Sequence, residues 1–164
     1  MEATSMETTS AAGEAPCPEP GPAIFAYDGS ELAAYAIEQA GIQLAPGREA
    51  LVVVVWQPAD VGFVPVEGRK LHAAAANEVA AAAEETAARG AELATRAGFK
   101  ARGVTVEAAP TWKGLVQVAD EHKCGLIVIG SHQRSGLLGH LAGSVAAATV
   151  SHFESSVLVI HKPH

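Results

Sequence analysis

The sequence predicts an α/β domain, a single open five-stranded parallel sheet with helices on both faces. Three observations carry the prediction. Short apolar runs, Ile24–Tyr27, Leu51–Trp56, Val104–Ala109, Leu126–Ile129 and Ser156–Ile160, recur along the chain. Longer segments with helical spacing separate them. Two of the runs, LVVVVW and LIVI, are apolar at every position, as strands buried on both faces are. Strands alternating with helices give parallel pairing through right-handed crossovers.

Residues 1–22 are rich in Glu, Ser, Thr, Ala, Gly and Pro without a periodic apolar pattern, so a disordered acidic tail is expected, with the domain proper over 23–164. Order begins at Ala23. Asp28-Gly29-Ser30 breaks the first strand, and Ser30 offers an N-cap to a helix over about 31–43, with Glu31 complementing its dipole. Leu32, Tyr35, Ala36 and Ala40 form its apolar stripe, and Gly41 with Pro46-Gly47 stops it. After the central strand 51–56, Pro58, Gly62, Pro65 and Gly68 mark a loop over 57–70. A helix over about 71–97 follows, in which alanine supplies 13 of the 25 residues from 73 to 97, so that it can approach a sheet closely. Gly90 weakens this helix and Gly98 caps it. Beyond the third strand, Thr111 is expected to cap a helix over 112–123, with Trp112 packing at its start. The strand Leu126–Ile129 ends at Gly130, a helix over 143–152 follows, and Ser156–Ile160 closes the sheet.

Composition narrows the function. Four glutamates in the tail, unaccompanied by Lys or Arg, account for four of the seven excess negative charges, so the domain is only mildly acidic and a nucleic-acid surface is not expected. No apolar run reaches the roughly 20 residues that span a bilayer, and the N-terminus lacks the basic and apolar regions of a secretory signal. Cys17 and Cys124 form neither a disulfide framework nor a metal site, which fits a reducing cytoplasm. No pair among His132, His140, His152 and His161 has the spacing of a helical zinc motif, so no metal is expected. Ser30, Ser131 and Ser135 lack a base-and-acid set, and G-x-S-x-G is absent, so no catalytic residue is assigned.

The informative stretch is LIVIGSHQRSGLLGHLAGS, residues 126–144. Strand, glycine-punctuated loop and helix start share the layout that holds phosphate: glycines admit an anion, and the helix N-terminus supplies free N–H groups and partial positive charge. An ordinary βα connection also carries glycines. In a parallel sheet ligands sit at the carboxyl ends of strands where the strand order reverses. If the first and fourth strands are neighbours, Asp28 faces a ribose hydroxyl while the loop faces phosphates.

AYDGSELAAYAIEQA, VVVVWQP, HKCGLIVIGSHQRSGLLGHLAGSV and SVLVIH together resemble the universal stress protein family from about Ala23 to His161. Of the family's Gly-x2-Gly-x9-Gly-Ser loop, Gly130, Gly143 and Ser144 match, whereas Gln133 stands where the second glycine belongs. The resemblance implies strand order 3-2-1-4-5 in an adenine-nucleotide alpha-hydrolase-like fold, and a homodimer built partly through the last strand. It also implies ATP or another adenine nucleotide between strands 1 and 4. Ala26, Tyr27, Asp28 and Trp56 would border adenine and ribose; Ile129, Gly130, Gly143, Ser144 and Val145 would border ribose and phosphates. Ser131, His132 and Gln133 lie in the same loop, with His132 placed to touch a phosphate or the loop backbone. Asp28 also offers a carboxylate to Mg²⁺ beside the phosphates, although a ribose contact demands less special geometry.

A left-handed backbone at Gln133 would cost about 1–2 kcal/mol. A compatible backbone would let its amide donate to a phosphate oxygen. The family also contains members that bind no nucleotide. Three functions follow: a nucleotide-responsive module, a protein-contact module without nucleotide, and a slow ATPase. Fast turnover is disfavoured because no P-loop lysine motif occurs.

Overall fold

The computed structural model describes residues 20–57, 68–131 and 145–163. Among them the order is β1 (Ala23–Ala26), α1 (Glu31–Gln43), β2 (Glu49–Trp56), α2 (Gly68–Arg96), β3 (Lys100–Glu107), α3 (Thr111–Glu121), β4 (Leu126–Ser131), α4 (Val145–His152) and β5 (Ser156–His161). The strands form one five-stranded sheet in the order β3-β2-β1-β4-β5, with every pairing parallel. The expected architecture is therefore the observed one.

Strand pleating sorts the core into two halves. Phe25, Val52 and Val128 point to one face, against Ala36, Ile37 and Ala40 of α1 and Ala94 of α2. Ile24, Leu51, Val53, Ile127 and Ile129 point to the other, against Leu115, Val118 and Ala119 of α3 and Ala146 of α4. Phe25 and Phe99 meet edge-on at 5.0 Å between ring centroids, the geometry favoured by their quadrupoles.

Helix α2 contacts the sheet through small residues at helical spacing. Ala83, Ala87 and Ala94 are buried, and Gly90 lies on the same stripe. A Cβ at Gly90 would stand 2.6 Å from Val52 Cγ1 and 2.7 Å from Tyr27 Cδ1. Gly103 answers from β3, where a Cβ would stand 2.9 Å from the carbonyl oxygen of Ala87. Gly90 thus weakens the helix locally but permits the close approach of helix and sheet. Gly98, at φ +103°, turns the chain out of α2, with Gly98 N–H donating to Thr95 O and Phe99 N–H to Ala94 O.

Several boundaries differ from the sequence-based expectation. β3 begins at Lys100 rather than Val104, because its whole length pairs with β2 from Glu49↔Lys100 to Trp56↔Glu107. As an edge strand it carries charged Lys100 and Arg102, which an apolar-run criterion passes over. Helix α2 begins at Gly68, three residues earlier than expected. Thr111 is the first residue of α3 rather than its cap; Pro110 holds the cap position and makes no side-chain cap bond. Gly130 does not end β4, which continues through Gly130↔Ile160 and Ser131↔His161.

Candidate functional site

The candidate site is built at the carboxyl ends of β1 and β4. Here the strand order reverses, since the chain runs outward from β1 through β2 to β3 and then returns to place β4 on the other side of β1. Such a switch point opens a crevice that adjoining crossovers leave uncovered. The pairing Phe25↔Val128, the last between β1 and β4, brings Asp28, two residues beyond β1, and Ser131, the last residue of β4, to the same end of the sheet.

Beyond β1 the backbone is locked by its own side chains. Tyr27 N–H still donates to Val53 O at 3.0 Å. Asp28 Oδ1 accepts the Ser30 N–H at 2.9 Å, and Gly29 between them adopts φ +81°, a conformation that glycine enters without a Cβ clash. Ser30 Oγ then accepts Ala33 N–H at 3.2 Å and caps α1, as expected. An ionised carboxylate has about four lone-pair sites, so the Ser30 bond orients Asp28 without exhausting it. Asp28 is exposed, and its carboxylate chemistry fits a ribose hydroxyl. The N-termini of α1 and α4 both begin at this end of the sheet, adding partial positive charge.

On β4, Gly130 serves a packing need that the phosphate rationale did not anticipate. A Cβ there would stand 2.9 Å from Leu32 Cγ and 2.9 Å from Leu32 O. The first turn of α1 therefore rests directly on the end of β4. Ser131 is buried, and its carbonyl accepts from His161 Nδ1 at 3.3 Å. Because a carbonyl can only accept, that nitrogen carries the proton.

The residues proposed to line the site do not present their side chains to one side. Tyr27 and Trp56 pack on the α2 face beside Val54, Ala83 and Ala87. Ala26 and Ile129 belong to the opposite half of the core. Ile129, only 5% exposed, can offer a ligand in the crevice little beyond its backbone. Val145 is exposed at the start of α4. His132, Gln133, Gly143 and Ser144 lie outside the described residues.

Sequence reasoning missed three neighbours of the site. Gly90 sits against the Tyr27 ring, Leu32 lies on Gly130, and Lys162 pairs with Glu31 at 3.6 Å. A lone glycine in an alanine-rich helix was the one available signal for the first. The others depend on crossovers that bring β5 and α1 to the same end. Trp112 does pack at the start of α3, where its ring stacks on His152 at 3.9 Å between centroids. Among the described residues no group of three or more His, Cys, Asp or Glu side chains could hold a metal, and no helix is long and apolar enough to cross a membrane.

The chain is similar to known proteins in sequence pattern and in fold. The Universal stress protein family profile matches residues 22–161. A search of curated protein sequences found no match. Among solved structures, a universal stress protein in complex with cAMP is 22% identical, with a TM-score of 0.60 over 87% of this chain and 98% of that one. The universal stress protein from Archaeoglobus fulgidus in complex with dAMP is 20% identical, with a TM-score of 0.56 over 85% and 97%. Universal stress protein UspA from Lactobacillus plantarum is 18% identical, with a TM-score of 0.61 over 85% and 97%.

Proposed function

The chain belongs to the universal stress protein family, and from that premise we propose that it is a regulatory module binding ATP or another adenine nucleotide in the crevice between β1 and β4. The observation that carries the reading is the exposed, pre-oriented Asp28 just beyond the end of β1, at the point where the strand order reverses toward β4. A nucleotide there would set its ribose against Asp28 and its phosphates toward the segment between β4 and α4. Relatives of the same fold bound to cAMP and to dAMP support the adenine class.

The test is calorimetric titration with ATP and AMP. Asp28→Ala should weaken binding by about 1–2 kcal/mol, the usual cost of losing a hydrogen bond to a charged group. Gln133→Gly restores the family pattern. Tighter binding by that variant would show that Gln133 obstructs the phosphates, and weaker binding that its amide contributes. No heat of binding in either the wild type or Gln133→Gly would overturn the reading in favour of a module acting through protein contacts alone.

The output of such a module is proposed to pass through a homodimer made at β5. Among the described residues this strand lies at the sheet edge, paired only with β4, and its Val157, Leu158 and Val159 are half-buried. An apolar edge of this kind accepts a second chain. Val159→Lys is expected to give monomers by multi-angle light scattering, and a monomeric wild type at micromolar concentration would exclude the dimer.

A further inference from the structure

Cations gather at the end of the sheet opposite the nucleotide crevice. An open groove of about 610 Å³ at the amino ends of β2 and β3 is lined by Pro22, Thr95, Phe99, Lys100, Arg102 and His122, with Glu49 also on its wall. Arg102 Nη2 lies 3.4 Å from His122 Nδ1. A guanidinium can only donate, so this ring nitrogen accepts. Arg48 stands at the same end, its Nη2 and Nε donating to Gly21 O at 2.8 and 3.1 Å. Arg48 and Arg102 both act on Cys124, where their positive charges oppose the burial that pushes its thiol up. Helix ends account for a cation such as Lys123 beyond α3, but not for Lys100 and Arg102, which sit on a strand.

The chain itself enters at this groove. Gly21 is pressed against the carbonyl of Lys123, leaving no room for a Cβ, and Pro22 is part of the groove wall. The sequence preceding this anchor carries Glu2, Glu7, Glu14 and Glu19 with no Lys or Arg. Glu19 stands three residues from Pro22, within about 10 Å of extended chain. A tethered partner of opposite charge acts at an effective concentration on the order of millimolar, so even weak surface attraction is populated.

We propose that the groove at the amino ends of β2 and β3 is the docking site of the chain's own acidic N-terminal segment, residues 1–19. The segment lies over Lys100, Arg102 and His122 and leaves the carboxyl-end crevice free. Docking therefore stands apart from nucleotide binding, and either can fail without the other.

The experiment uses the full chain and a glutamate-specific endopeptidase, with cleavage after Glu7 and Glu14 followed by mass spectrometry. At low salt, cleavage should run about three- to five-fold slower in the wild type than in Lys100→Glu/Arg102→Glu, as expected for a few exposed charge pairs. At 0.5 M NaCl, where the screening length falls to about 4 Å, the difference should vanish. Glu14→Gln/Glu19→Gln leaves every described residue unchanged, so folding is not in question, and it should shift the His122 ring resonances. Protection that persists on tenfold dilution supports docking within one chain. Protection lost on dilution would place the segment on a second copy and overturn the proposal. Equal cleavage rates together with superimposable His122 signals would overturn it outright.

Discussion

Gly90→Val is expected to cost about 3 kcal/mol of folding stability, at the upper end of the range for overpacking a core. The two nearest obstacles, Val52 Cγ1 at 2.6 Å and Tyr27 Cδ1 at 2.7 Å, lie inside any permissible carbon–carbon contact. Val52 is fully buried in the central strand, so it cannot swing aside. The helix must lift instead. Lifting would open the contacts of Ala87 with Val54 and of Ala94 with the Phe25 cluster. Better helix propensity at position 90 returns well under 1 kcal/mol, because valine is itself a modest helix former. Against a typical domain stability of about 5–15 kcal/mol, the loss should be plain in urea unfolding. It should also reach the candidate site, since Tyr27 is one of the two side chains displaced. An unfolding midpoint equal to that of the wild type would show that α2 does not sit as closely as described.

The same contacts explain which features the sequence disclosed. Helix α1 was legible to the residue because its stop and start are local: Ser30 caps it, and the chain beyond Gln43 turns extended before Pro46-Gly47. The interior strands were legible because burial on both faces leaves only apolar residues. β3 was half hidden, since on an edge strand Lys100 and Arg102 satisfy solvent rather than core. The end of β4 was misplaced because a glycine after an apolar run ordinarily marks a turn, whereas Gly130 continues the ladder beneath Leu32. At the site, Asp28 was legible from its place after the first strand, between an apolar run and a helix cap. The opposite orientations of Tyr27 and Ile129 were not, because they follow from register. The cationic groove was invisible in sequence, where Lys100 and Arg102 of β3 are far from His122 after α3 and from the chain's entry at Pro22.

Gly130, within β4, and Gly143, on the segment that follows it in sequence, should respond in opposite ways, and the contrast tests whether the crevice holds phosphate. Gly143→Val is expected to abolish ATP binding, a loss of at least about a hundredfold, with little change in stability. A loop that cradles an anion through backbone N–H groups has no room for a side chain where the anion approaches. Gly130→Ala is expected to do the reverse. Its new Cβ meets Leu32 O and Cγ at 2.9 Å, so the first turn of α1 must shift, at about 1–3 kcal/mol. Nucleotide affinity would then fall only as far as Asp28, held through Ser30 to that same helix start, moves with it. Urea unfolding and calorimetry on both variants separate the two effects. Equal ATP affinity in Gly143→Val and wild type would remove the phosphate role from the loop. Unchanged stability in Gly130→Ala would show that α1 yields freely, leaving the glycine at position 130 to be explained by the ligand after all.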